Sequence, residues 1–310
     1  MDTRPLGSSG LRTSQVGLGC NNFGRRLDLA GTRAVVDEAL EQGVTFFDTA
    51  DTYGRGASEE YLGEVLQGRR DRVVLATKFG MDMGDGKGPR GSRGYIQQAI
   101  EASLQRLRTD VIDFYWYHHP DEQTPITETL ETLDELVRAG TVRAIGASNF
   151  DAAQIEEADA VAHERGLTPF SAVQNEYNLL AREAEHDALP ACARLGLGFV
   201  PFYPLASGLL TGKYRPGETG PQGARLSDGD EIATDAQFAL IAALQEYAQA
   251  RNVSLSDVAI GALLAHDAVS SVIAGATRPA QVRSNAGAAR WQPSPEDLTA
   301  LGEVLAAHGG

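Results

Sequence analysis

The chain of 310 residues is long enough for one large α/β domain, and its 42% hydrophobic and 22% charged residues are those of an ordinary globular protein. A formal net charge of −15 repels phosphate backbones, so nucleic acid and anionic membranes are not expected partners. Cys20 and Cys192 are too few for a disulfide framework. The start, Met1-Asp2-Thr3-Arg4-Pro5, has no apolar stretch of a secretory leader, and no apolar run is long enough to span a bilayer; a cytoplasmic location is the expectation.

The first segment reads as a hairpin: Arg4–Leu6, a turn over Gly7-Ser8-Ser9-Gly10, and Leu11–Ser14. Strand-like and helix-like segments then alternate. Gln15–Leu18 is a strand and Thr32–Glu41 a helix ending at Gly43. Val44–Phe47 is a strand, and Ser58–Gln67 a helix with Ser58 as its N-cap. Val73–Thr77 is a strand, Ser92–Leu107 contains a helix, and Val111–Tyr117 is a strand. Pro125–Ala139 is a helix with Thr124 as N-cap.

Val142–Gly146 is a strand, Asp151–Glu164 a helix capped by Asp151, Ser171–Gln174 a strand, and Glu183–Leu195 a helix. Leu197–Phe202 is a strand followed by a long loop. Thr234–Ala250 and Ser254–His266 are successive helices, Val269–Ile273 the last strand, Pro279–Ala289 its helix, and Pro295–Ala307 a tail helix.

Strand–helix units with near-continuously apolar strands predict a parallel sheet covered on both faces. An open dinucleotide-binding sheet would carry G-x-G-x-x-G after its first strand, and Gly17-Leu18-Gly19-Cys20-Asn21-Asn22 breaks that pattern. Closure into a single (β/α)8 barrel over residues 1–310, with an N-terminal hairpin and extra C-terminal helices, is therefore expected. The Gly-rich segments Gly80–Gly94 and Tyr214–Ala233 follow strands and fall at the C-terminal mouth, where sites of this architecture lie.

Three ionisable residues end strands: Asp48, Lys78 and His118, with Tyr53 on the loop after Asp48. This set suits proton donation to a carbonyl. A phenol is a weak acid, an adjacent ammonium stabilises its conjugate base and lowers its pKa, and a carboxylate holds that ammonium in place. A histidine can orient the substrate oxygen. No side chain supplies a hydride, so the electrons require a cofactor.

Several segments resemble the aldo-keto reductases. They are Phe47-Asp48-Thr49-Ala50-Asp51-Thr52-Tyr53-Gly54, Ala76-Thr77-Lys78, Asp113 through Pro120, and Ile145 through Phe150. Gln174-Asn175-Glu176-Tyr177, Pro204 through Lys213, and Gly275 through Asn285 complete the series. They run in family order across nearly the whole chain. The resemblance implies reduction of an aldehyde or ketone, with NAD(P)H lying extended across a barrel mouth.

It further implies Tyr53 as proton donor, Lys78 and Asp48 as its tuning pair, and His118 as the group that orients the carbonyl. Ser148, Asn149 and Gln174 would hold the nicotinamide carboxamide and Tyr203 would stack on its ring. Leu205, Ser207 and Leu210 would line the pyrophosphate passage. Gly275, Thr277, Arg278, Gln281 and Asn285 would surround the adenosine end, and Gly19 and Cys20 would lie near the cofactor. A guanidinium at Arg278 matches a 2′-phosphate, which favours NADPH over NADH. Ala274 stands where the family usually has Pro, and Ser284 where it usually has Glu. Phe23, His119, Trp291 and the Met81–Met83 loop are candidate walls of the substrate pocket.

Other chemistries fit less well. Metal hydrolases of this fold carry His-x-His after the first strand, which Gly19-Cys20-Asn21 lacks, so no metal is expected. Lys78 alone could form a Schiff base, but Asp48 and Tyr53 beside it favour the reductase. Gly212-Lys213 fails as a phosphate-binding loop because Ser207 and Tyr214 occupy the flanking motif positions. The alternative from another class is a regulatory or sensor subunit that binds NADP(H) with little turnover.

Overall fold

The computed structural model describes residues 1–308 apart from 83, 85, 87, 219, 222–223 and 227–231. The hairpin pairs β1 (Thr3–Pro5) antiparallel with β2 (Arg12–Ser14). Eight strands follow: β3 (Val16–Gly19), β4 (Phe46–Asp48), β5 (Val74–Phe79), β6 (Ile112–Tyr117), β7 (Val142–Ser148), β8 (Ala172–Gln174), β9 (Gly198–Phe199) and β10 (Val272–Gly275). They form one parallel sheet in the order β10-β3-β4-β5-β6-β7-β8-β9. Bridges between Phe199 and Val269 and between Phe202 and Ile273 join its two ends, so the sheet curls into a (β/α)8 barrel.

Among the described residues the α-helices are α1 (Leu29–Glu41), α2 (Ala57–Val65), α3 (Arg93–Leu107), α4 (Ile126–Arg138), α5 (Ala152–Arg165), α6 (Ala188–Leu195), α7 (Asp235–Ala250), α8 (Leu255–Leu264), α9 (Pro279–Ala288) and α10 (Pro295–Ala307). Capping explains their starts. Asp28, Asp151, Thr234, Ser254 and Ser294 each accept a backbone N–H of the first turn, and the last four close full capping boxes.

Because strand side chains alternate, one parity of each strand faces the barrel axis and the other faces the helices. Phe46, Ala76, Phe114, Trp116, Ala144 and Ala172 fill the interior, closed from below by Leu6 of the hairpin. Phe47, Leu75, Tyr115, Ile145 and Val173 belong to the core under the helices. Gly146 makes room for the large interior rings, since a Cβ there would lie 2.6 Å from both Phe114 and Trp116.

Local details depart from the sequence reading. Ser58 is not a cap: α2 starts at Ala57, and the buried Ser58 hydroxyl bonds Thr49 Oγ1 and the Cys20 carbonyl, tying the first two strand ends together. Thr124 does not cap α4, because its hydroxyl donates to Asp121 instead. The helix expected over Glu183–Leu195 breaks at Asp187 (φ −129°, ψ −95°) into a short 3-10 turn, Glu183–His186, and α6. The last strand lies at Val272–Gly275 rather than Val269–Ile273, because its ladder partner is the Val16–Gly19 segment.

Candidate functional site

The inward parity that packs the barrel continues to its C-terminal rim, where the residue type changes from apolar to polar. Asp48 follows Phe46, Lys78 follows Ala76, His118 follows Trp116, and Gln174 follows Ala172, each two residues on. Side chains that the pleat directs inward thus converge above the apolar plug. They meet at a cavity of about 1000 Å³, within the usual range for small-molecule sites. Asp48, Tyr53, His118, Ser148, Gln174 and Tyr203 are in its wall.

Lys78 is fully buried. Its ammonium pairs with Asp48 Oδ2 and donates a 2.9 Å hydrogen bond to the Thr49 carbonyl. It lies 5.2 Å from the centroid of the Tyr53 ring. Burial alone would lower the Lys78 pKa, but Asp48 and Tyr53 outweigh it and hold the amine above its ordinary value, firmly charged.

Tyr53 behaves differently from the simple expectation of a lowered pKa. Burial pushes its phenol up, and the opposing pull of Lys78 offsets only part of that shift. The reason is that Lys78 is itself largely neutralised by Asp48, which works on the phenol in the opposite sense. At neutral pH Tyr53 therefore keeps its proton.

His118 is driven well below the ordinary histidine value by burial, with Lys78 and His119 adding to it. Its neutral ring meets Tyr53 edge-on with centroids 6.1 Å apart, and Nδ1 has no hydrogen-bond partner among the described residues. Its backbone carbonyl accepts a 2.9 Å bond from Asn149 Nδ2. Asn149 has φ of +60° and Tyr203 of +54°, a strained state for non-glycine residues of the kind that concentrates at functional sites.

Ser148 Oγ donates to the Gln174 carbonyl at 2.7 Å, and Gln174 Nε2 donates to Asp48 Oδ1 at 3.0 Å. Leu205 and Ser207 line the cavity, with Ser207 also at positive φ (+56°). At the far end, Gln281 Oε1 accepts from the Thr277 backbone N–H at 2.7 Å and its hydroxyl at 3.0 Å, and Asn285 reaches the Gly275 carbonyl at 3.4 Å. Arg278 stands exposed at the start of α9.

Some predicted residues lie elsewhere. Gly19 lines the cavity, but Cys20 is fully buried, with its thiol on the Leu18 carbonyl. Leu210 is buried in the core beneath α7 and α8, with its N–H donating to the Leu205 carbonyl and its own carbonyl accepting from Ser256. Phe23 is fully buried rather than a cavity wall, and Trp291 packs on Gly261, where a Cβ would meet its ring at 2.5 Å. His119 and Met81 do reach the cavity, while Met83 lies outside the described residues. Asn21, Arg25, Arg26, Lys213 and Arg225 line it as well. Their signal in the sequence was position alone, on loops that follow barrel strands.

The wall has the shape and donor set for an extended nicotinamide dinucleotide. Its floor is polar at one end, its far end is made by the start of α9, and Asn21 Oδ1 is buried beside it with no hydrogen-bond partner among the described residues. Among the described residues no group of His, Cys, Asp and Glu could hold a metal, and no helix is long and apolar enough to cross a membrane. The sequence model of the aldo/keto reductase family matches residues 15–306. The chain belongs to that family.

Among its relatives, an uncharacterized oxidoreductase of Bacillus subtilis is 35% identical over the whole of this chain and 98% of its own length. A probable voltage-gated potassium channel subunit beta of rice, Oryza sativa, is 36% identical over 92% of this chain and 90% of its own. An L-glyceraldehyde 3-phosphate reductase of Escherichia coli O157:H7 is 34% identical over 92% of this chain and 86% of its own. As an aldo/keto reductase, the protein is an NAD(P)H-dependent oxidoreductase that acts on small carbonyl compounds.

Proposed function

We propose that the protein reduces an aldehyde or ketone to the alcohol with NADPH, and that Tyr53 is the proton donor. The observation that carries this reading is the buried ammonium of Lys78, fixed by Asp48 and 5.2 Å from the centroid of the Tyr53 ring at the cavity. When bound, the nicotinamide supplies a hydride to the carbonyl carbon.

This chain's own residues manage the oxygen. Tyr53 gives up its proton to the developing alkoxide, and Lys78 stabilises the phenolate left behind. His118, neutral because it is buried, donates a hydrogen bond that orients the carbonyl without adding charge. Ser148, Asn149 and Gln174 hold the carboxamide and Tyr203 the ring. Leu205 and Ser207 border the pyrophosphate, and Gly275, Thr277, Gln281 and Asn285 surround the adenosine. Arg278, exposed at the cavity's far end, is suited to a 2′-phosphate, the basis for preferring NADPH. A panel of aldehydes and ketones, followed by nicotinamide absorbance with NADPH and with NADH, tests the reading.

A second reading, a regulatory subunit that binds the cofactor with little turnover, draws on the channel-subunit name of the rice relative. The complete set of Asp48, Tyr53, Lys78 and His118 favours the enzyme. Tight NADPH binding without turnover of any carbonyl would favour the subunit.

A further inference from the structure

The wall of the mouth cavity carries the opposite charge to the molecule. The chain has a net charge of −15, yet Arg25, Arg26, Lys213, Arg225 and Arg278 line the cavity. Asp48 is the one carboxylate in that wall among the described residues, and Lys78 already neutralises it. A cationic funnel in an acidic protein concentrates anions there.

The cofactor does not account for all of it. Lys213 and Arg278 lie with Ser207 and Thr277 on the stretch assigned above to its phosphates. Arg25 and Arg26 lie on the β3–α1 loop, which packs against the Tyr53 loop. Gly54, next to Tyr53, has φ of +59°, and a Cβ there would sit 3.0 Å from the Phe23 carbonyl oxygen and 3.1 Å from Gly24. Arg26 donates to the Ala224 carbonyl at 3.2 Å, joining this loop to the segment that bears Arg225. Arg225 lies over the Tyr203 ring, 4.6 Å from its centroid, and donates to its hydroxyl at 2.9 Å. The Arg25 backbone N–H donates to the Asn22 carbonyl, but its guanidinium makes no hydrogen bond or ion pair among the described residues, so its charge is available to a ligand.

We infer that the substrates are carbonyl compounds that also carry an anionic group, a carboxylate or a phosphate, held by Arg25 and Arg225 while the carbonyl reaches Tyr53. The inference rests on the reductase reading and deepens it. His119 fits the same arrangement: it stacks on His118 with centroids 5.6 Å apart, and burial lowers its pKa, so it offers a neutral polar edge between carbonyl and anion.

The test compares kcat/KM for matched pairs, glyceraldehyde against glyceraldehyde 3-phosphate and butanal against succinic semialdehyde. It uses the whole protein with NADPH, at low salt and at about 0.5 M salt. The anionic member of at least one pair is expected to win by roughly tenfold or more at low salt, with the margin shrinking as salt rises. Which pair shows it tells phosphate from carboxylate. R25Q and, separately, R225Q are expected to cut the anion-to-neutral ratio roughly two- to fivefold each. Equal rates within both pairs, or a ratio that neither variant changes, overturns the inference and leaves the reductase reading standing. No reduction of any carbonyl overturns both.

Discussion

Gln174, at the end of β8, donates a 3.0 Å hydrogen bond to Asp48 Oδ1, at the end of β4, while Asp48 Oδ2 is taken by Lys78. The two residues are 126 positions apart and their strands are not neighbours, so the bond spans the barrel mouth. A carboxylate can only accept, which fixes the Gln174 amide with its NH2 toward Asp48 and its oxygen free. Asp48 is thereby held from two sides, and the ammonium it anchors has one position relative to Tyr53.

Tyr53→Phe deletes the proposed acid and leaves the ring. Turnover of a good aldehyde should fall by roughly 10²–10⁴-fold, while NADPH affinity, read by fluorescence titration, stays within about twofold of the parent. Full activity in this variant would assign the proton to another group.

Lys78→Met leaves the buried Asp48 with Gln174 and without its cation. Breaking a buried pair from one side costs about 3–5 kcal/mol, which urea unfolding should show. In the double variant K78M/D48N the uncompensated charge is gone, so a good part of that loss should return. Activity should not return, since no ammonium faces Tyr53. A double variant as unstable as K78M alone would mean that packing, not charge, sets the cost.

Asp51 supplies a pH signature. Burial first, then the nearby Glu59, raise its carboxyl from the ordinary 3.8 to about 7, against the pull of Arg106, the Thr52 backbone and Lys78. Both Glu59 oxygens are engaged, by Thr77 and by Arg106. Between about pH 4 and pH 7 the folded chain keeps a proton on Asp51 that the unfolded chain has released. Stability from this group is thus greatest at the acid end and falls as pH rises through that window. Asp51→Asn should gain on the parent steadily across that window, as followed by urea midpoints. A difference that does not change with pH would show that Asp51 titrates normally.

Arg278→Ala should weaken NADPH by roughly 10–100-fold, the worth of a charge-assisted contact to phosphate, and NADH by far less. Equal weakening of both cofactors, measured by direct titration, would remove Arg278 from the 2′-phosphate role.

Much of this protein was legible in the chain because the governing patterns are local. Strand and helix periods, and the cap Asp151, depend on residues a few positions apart, so the alternation that builds the barrel could be read directly. The same period of two explains why Asp48, Lys78, His118 and Gln174, each at a strand end, point to one place. Where local signals had competitors they misled: Ser58 and Thr124 look like caps but spend their hydroxyls on Thr49 and Asp121.

What the folded chain alone decided is set by neighbours far apart in sequence. Closure of the ring, the sealing of Phe23 and Trp291 into packing, and the meeting of Arg25 with Arg225 at one rim all require β10 to lie beside β3. The acidity of Tyr53 belongs to the same class. A nearby ammonium suggests a lowered pKa, but burial and the partner carboxylate outweigh it. Desolvation and long-range Coulomb terms depend on where atoms end up in space, and no reading of spacing along the chain contains that quantity.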